Sequence, residues 1–401
     1  MQRAWVGLLG SLVCVGCGFE AGATSVAGGD DSGGSDGGGG GGIAKRDVCV
    51  KLRDTTYGVD WSGCAAAAPV ELLDIQTSTM IDTGAAATTG PTCLVISVAV
   101  TVSGTTEHVD VCALAATTIH LRDSATLRAH GARPLVLVAN TIVVDGKIDV
   151  ASRLGERGAG STNANCEPAM HAQAEGGGAG GSYDVAGGKG GDQGGQANTG
   201  GMSGGTASTS YLRGGCDGAP GGDGSNNPPG SGGLGGGVVW LASTILTFGD
   251  QSSINASGDG GAGGKMAHNG GSGGGSGGMI ILQSMTITKS ADAKLYANGG
   301  HGGGGDGKQA GQDGTTPDDV SSGGDGGRGN GASNNGNNNG DGGRGFAGSA
   351  MPENGDPGSP DDGGAGGGGG GGGGGAIRVA SQSDIGIKNI SPNPSKWTPA
   401  P

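Results

Sequence analysis

The sequence predicts an all-β fold, a short right-handed parallel β-helix with three strands to a coil of about 21 residues and long Gly-rich inserts at one corner. Three observations carry this. Val238–Gly249 aligns without gaps on Met279–Ser290, at an offset of 41 residues. Leu127, Ile148, Ile254 and Leu295 occupy equivalent positions, and their separations of 21, 106 and 41 residues are one bare coil with or without an insertion. Every insertion enters after the third run of its unit. One coil cannot bury its apolar face alone, so stacked coils must share a core and surplus chain collects at an edge.

At the N-terminus, Met1-Gln2-Arg3 precedes a short apolar stretch ending at Val15-Gly16-Cys17. This reads as a signal peptide over 1–16, too short to span a bilayer. Val15-Gly16-Cys17 resembles the end of a bacterial lipoprotein lipobox, although Cys14 stands where that pattern has Leu. The resemblance implies lipidation of Cys17. Gly18, where an inner-membrane signal would have Asp, implies an outer-membrane address. An ordinary leader and an uncleaved anchor are the alternatives. Residues 17–46 are rich in Gly, Ser and Asp, with six consecutive Gly, and read as a flexible tether.

Six cysteines follow the leader, and an even number in an exported chain predicts disulfides. Neighbourhood pairs Cys49 with Cys64, Cys93 with Cys112, and Cys166 with Cys216. A metal held by Cys166, His171 and Cys216 is the alternative, but Cys-x-x-Cys spacing and a fourth ligand are missing. Residues 47–106 are expected to form a disulfide-tied cap that shields the solenoid end from edge-to-edge pairing.

The solenoid is expected over 107–391. Its first unit runs through His108–Leu114, Thr118–Asp123 and Thr126–His130. The second is Leu135–Gly146 with Lys147–Ser152, and Trp240-Leu-Ala-Ser-Thr-Ile matches Leu137-Val-Ala-Asn-Thr-Ile within it. Two more begin at Val238 and Met279. A weaker copy joins Ala376–Ser381 to Ile385–Ile390, before a tail at 392–401. These runs are rich in β-branched residues and bounded by Gly, Asp, Asn or Ser. Three columns follow: Val136, Val239, Ile280 and Ile377; Val138, Leu241, Leu282 and Val379; and Leu127, Ile148, Ile254 and Leu295. A sandwich of β-hairpins is the rival, and it leaves the shared insertion corner unexplained.

Gly supplies 101 of the 401 residues, concentrated in inserts at 153–236, 259–278 and 300–375. The ordering entropy of Gly predicts mobile loops. The ordered alternative is packed polyproline II strands, since Gly lets backbones approach closely. In this respect the inserts resemble Gly-rich adhesin tips.

Leu127–Val150, with Gly-rich runs resolving into Gly-Gly-Val-Val-Trp-Leu or Gly-Gly-Ala-Ile-Arg-Val, resembles Gly-rich bacterial surface lipoproteins of the myxobacterial type, with a pectin-lyase-like β-helix. The resemblance covers about Asp110 to Ser391. It implies a fold and no activity.

Net charge is −14, from 22 basic and 36 acidic residues, and aromatics are 3%. Scattered cations and few stacking rings argue against a nucleic-acid partner. Gly300-His301-Gly302 looks like the Gly-His-Gly of polygalacturonases, but a His flanked by Gly is expected in such a segment. Those enzymes also need clustered carboxylates, whereas Asp145, Asp149 and Asp250 stand alone, and Arg378 lacks the Arg-Ile-Lys context. Gly302–Lys308 has part of a phosphate-loop spacing, with Gln309 replacing the magnesium-binding hydroxyl. Asp361-Asp362 reads as solvated acid with at most weak calcium binding. His108, His120, His130, His171, His268 and His301 read as scattered surface groups.

No catalytic, cofactor or metal residue is assigned. The expected role is a non-enzymatic structural or adhesion protein, anchored to the outer membrane by lipid and displaying Gly-rich loops towards extracellular polysaccharide or other surface proteins. A polysaccharide-active lyase or hydrolase on the same scaffold is the alternative, favoured by a groove where carboxylates converge. A calcium- or carbohydrate-binding module is a third reading.

Overall fold

The computed structural model describes residues 70–396, apart from 85–90, 92, 103–104, 154, 163–165, 171, 208–211, 225–229, 266–267, 307–309, 322–325, 330–339, 360–365 and 382–388. The leader, Cys17, the tether, Cys49, Cys64, His171, Gln309, Asp361 and Asp362 lie outside the described residues.

The described chain is all-β, with no helix, and its strands are mainly parallel. Strands β1 (Val70–Ile75), β4 (Thr105–Leu121), β6 (Leu135–Val144), β8 (Val238–Phe248), β10 (Met279–Lys289), β12 (Ala376–Ala380) and β14 (Ser395–Lys396) form one sheet in that order. Strand β3 (Leu94–Val102) joins it antiparallel to β4. Strands β2 (Thr79–Asp82), β5 (Thr126–His130), β7 (Lys147–Asp149), β9 (Ser253–Asn255), β11 (Lys294–Tyr296) and β13 (Asn389–Ser391) form the second. From β4 onward the chain alternates between the sheets, and each sheet keeps its strands in sequence order. Parallel pairing of this kind does not arise from hairpins, which removes the sandwich.

Leu127, Ile148, Ile254 and Leu295 pair in succession across the second sheet, and Ile390 continues the column. Val239, Ile280 and Ile377 likewise pair, as do Leu241, Leu282 and Val379. Val136 and Val138 do not belong to these columns. Leu135 pairs with Val239 and Leu137 with Leu241, while Val136 meets Trp240 and Val138 meets Ala242. The matched Ala-Asn-Thr-Ile and Ala-Ser-Thr-Ile strings are therefore one residue out of register. Leu135 and Leu137 face the interior, whereas Val136 and Val138 face outward into a second apolar cluster. A strand buried on both faces has no period-2 signal to fix its register.

The first two runs of each unit also fuse. Thr118–Leu121 continues the strand begun before it, with Arg122 and Asp123 beyond its end, and Leu135–Val144 is one strand. The break visible in the sequence is a step in side-chain direction: inward positions advance by three from Ala116 to Ile119 and from Ala139 to Ile142, instead of by two. Val70–Asp82, within the segment expected as a cap, already supplies a strand to each sheet, pairing Leu73 with Ile119 and Ile81 with Ala129. Cys93–Cys112 and Cys166–Cys216 are disulfides as expected. Among the described residues, no helix is long and apolar enough to cross a membrane.

Candidate functional site

All three inserts leave from the second sheet and re-enter the first: after β7, after β9 and after β11. Their described residues are ordered, which corrects the expectation of mobile loops in favour of packed extended strands. The pattern has a period of three. Gly178 N–H donates to Gly271 O at 2.8 Å, Gly271 N–H to Gly367 O at 2.9 Å, and Gly367 N–H to Glu175 O at 2.9 Å. Three residues on, Gly181 donates to Gly274, Gly274 to Gly370, and Gly370 back to Gly178, at 2.8–3.0 Å. Gly277 donates to Gly373 and Gly373 to Gly181. A polyproline II strand has three residues per turn and no internal hydrogen bonds. Its backbone groups must therefore pair sideways, and here three inserts satisfy one another.

This glycine lattice accounts for the ten consecutive Gly from Gly366 to Gly375. A Cβ on Gly366, Gly369, Gly372 or Gly375 would strike a carbonyl of the second insert, at Asn269, Ser272, Gly275 or Gly278. On Gly367, Gly370 or Gly373 it would strike the first insert at Gly191, Gly188 or Val185. On Gly368 or Gly371 it would strike Asp341 or Arg344 of the same insert, and on Gly374 the Phe346 ring. All three faces of this strand are occupied, so every position must be Gly. Outer strands keep one open face. In 186–191 it carries Ala186 and Lys189, and in 340–345 it carries Asp341 and Arg344.

The lattice also covers the outer face of the first sheet. Val136, Val138, Val238, Trp240, Ala242, Met279, Ile281 and Ala376 point outward and are buried against insert residues Tyr183, Leu212 and Cys216. Tyr183 is fully buried, and its hydroxyl donates to Arg213 O at 3.0 Å. Burial pushes the Tyr183 phenol up in pKa. The Arg213 guanidinium lies 5.5 Å from the ring centre and donates to Cys166 Sγ and Cys216 Sγ. Because the two cysteines are bonded to each other, no thiolate pair remains for the metal alternative.

Two open polar basins lie outside this packing. One, of about 320 Å³, runs along the outer face of the second sheet and is lined by Lys147, Asp250, Ser253, Asp292, Lys294, Tyr296, Asp318 and Asn389. Lys147, Ser253, Lys294 and Asn389 are register partners on successive strands, so about 4.8 Å separates each from the next. Lys294 Nζ is 3.0 Å from Asp319, and Tyr296 donates to Asp318 O at 2.9 Å. The other, of about 490 Å³, lies at the lattice edge among Arg328, Asp341, Arg344, Glu353 and Asp356. Burial, reinforced by Asp341 and Glu353, raises the Asp356 carboxyl.

Apart from the two disulfides and a His120–Asp145 pair, the residues singled out in the sequence do not come together. Asp145 lies 2.7 Å from His120 Nε2, Asp149 binds Arg153 at 3.2 Å, and Asp250 accepts from Ser290. Arg378 donates to Ser395. His130 lies 3.3 Å from Glu156. His301 is buried rather than superficial and accepts from Gly345 N–H at 2.9 Å, making it a lattice residue. No cluster of three His, Cys, Asp or Glu able to hold a metal ion occurs among the described residues. The carboxylates that do converge, Asp341, Glu353 and Asp356, were missed. The available signal is a three-residue spacing of charge, Asp341 with Arg344 and Glu353 with Asp356, where an outward charge marks a lattice edge. No family model, curated protein or solved structure matches the chain.

Proposed function

We propose that the chain is an exported, non-enzymatic surface protein, lipid-anchored at Cys17, in which a right-handed parallel β-helix with coils of about 21 residues carries the glycine lattice as a rigid contact body. The observation that supports this best is the lattice core. Its central strand, Gly366–Gly375, is packed against backbone and the Phe346 ring and carries no side chain of its own, and the strands beside it present Lys189 on one and Asp341 and Arg344, three residues apart, on another. A body of this kind suits adhesion or envelope architecture, with extracellular polysaccharide or other surface proteins as partners. The test uses intact cells producing the full chain and a membrane-impermeant amine reagent. Labelling of Lys189 on unbroken cells, with a mature N-terminus at acylated Cys17, is expected. Labelling only after lysis overturns the surface assignment.

A second reading has its own support. The trench over Lys147, Asp292, Lys294 and Tyr296 combines cations, carboxylates and a phenol, with Lys147 and Lys294 two strands apart on either side of Ser253, a lining suited to the hydroxyls of a polysaccharide. Retention of soluble polysaccharide that is lost in the Lys147→Ala, Asp292→Asn double variant would establish binding there.

A further inference from the structure

We propose that Glu175, His268 and Asp306 form a pH-responsive latch at the outer end of the glycine lattice, sealed when Asp306 is neutral and loosened when it ionises. Each residue comes from a different insert, and the backbone ties them at one level. Gly367 N–H donates to Glu175 O at 2.9 Å, Asp306 N–H to Asn269 O at 3.0 Å, and Gly366 N–H to Asp306 O at 2.9 Å. Asp306 is fully buried, and its carboxylate oxygens have no well-formed hydrogen bond, only the weaker pull of the nearby Asn269 and His268 amides. His268 holds a left-handed backbone, φ 70°, and its buried Nδ1 is also without a hydrogen bond. A buried polar group left unpaired is costly, and most so when charged.

The charged neighbours are few. His268 faces both carboxylates from the second insert, and Glu175 faces Asp306 from the first, its own Oε2 accepting from Gln193 at 2.9 Å. Lys265 begins the same bend, its carbonyl accepting from Asn269 and its side chain exposed. Burial lifts the Asp306 carboxyl to about 6, against the smaller opposing pull of the His268 and Asn269 backbone and of His268 charge. Burial raises Glu175 in the same direction. A raised carboxyl favours the closed lattice while protonated. That advantage is complete below the ordinary carboxylate range and fades as pH climbs through about 6.

Hydrogen exchange on the full chain between pH 5 and 7.5, corrected for intrinsic rates, reads the latch directly. Amides of Gly264, Gly366 and Gly367 are expected to exchange about tenfold more slowly at pH 5 than at pH 7.5, while Ile280 and Leu282 in β10 stay unchanged. Asp306→Asn should weaken the dependence, leaving only the share of Glu175, and keep these amides protected at the higher pH. His268→Gln should keep the dependence and move its midpoint upward. A flat wild-type profile, or an unaltered one in Asp306→Asn, overturns the proposal. Should Asp306→Asn fail to fold, the carbon-13 titration of the wild-type Asp306 carboxyl decides instead. A midpoint well above the usual carboxylate range supports the latch, and one near 4 refutes it.

Discussion

Glycine plays two different parts in this chain, and the residue scale separates them. Gly131, with φ of 110°, needs its freedom of rotation. Gly370 instead needs to have no side chain, because a Cβ there would collide with the Gly188 carbonyl. Neither the β-turn rules nor local propensity distinguish these cases, since the second depends on a strand far away in sequence. Gly370→Ala is therefore expected to destabilise the lattice by about 1 to 3 kcal/mol or more, the cost of overpacking a site that cannot expand. Lys189→Ala, on the open face of a neighbouring strand, should stay within about 0.5 kcal/mol. Urea unfolding of the two variants, compared with the parent, measures the difference. Equal midpoints would mean that the lattice tolerates side chains and is not close-packed.

At the scale of the element, the β-runs and their insertion corner were readable because apolar, β-branched segments stand out sharply against Gly. The short strands of the second sheet were placed in correct register, since each buries one central residue, such as Ile148 or Ile254, between two less apolar ones. Of the long strands, β8, β10 and β12 pair in the expected register, and only β6 stands one residue out. Leu135-Val-Leu-Val-Ala and Val238-Val-Trp-Leu-Ala are buried on both faces, and the sequence carries no mark of which Val looks inward. A continuous apolar run was itself the available signal that something covers the outer face. What covers it is partly the 160–216 segment, which the Cys166–Cys216 bridge closes over a separation of 50 residues. Breaking that bridge with the Cys166→Ser, Cys216→Ser double variant should cost about 2 to 4 kcal/mol and loosen insert one first. Limited proteolysis should then cut between 160 and 216 while β8 and β10 remain intact. Cleavage spread evenly through the chain would show that the bridge supports the sheets rather than the cover.

For the whole molecule, the question is whether the inserts are three independent arms or one body. Composition argued for independent arms, because an isolated Gly-rich loop has the most entropy to lose and nothing to bury. The missing consideration is mutual: each insert pairs partly with itself, as Gly177 N–H does with Gly191 O and Gly343 N–H with Gly369 O, but Gly178, Gly274 and Gly370 find their acceptors in a different insert. Gly366–Gly375 is central, touching the first insert on one face and the second on another. Replacing residues 300–375 by a short turn removes that strand and leaves the first two inserts with unpaired groups, among them Gly274 N–H and Gly178 O. Protection of the Gly274 amide should collapse in hydrogen exchange, and that of Gly178, whose own acceptor Gly271 remains, should fall with it. Amides in β6 and β8 should hold, because their partners lie in the sheets. If Gly178 kept its full protection while Gly274 lost it, the inserts would be additive neighbours; if both fall together, the lattice folds as one cooperative unit and its three sequence-distant segments act as a single contact surface.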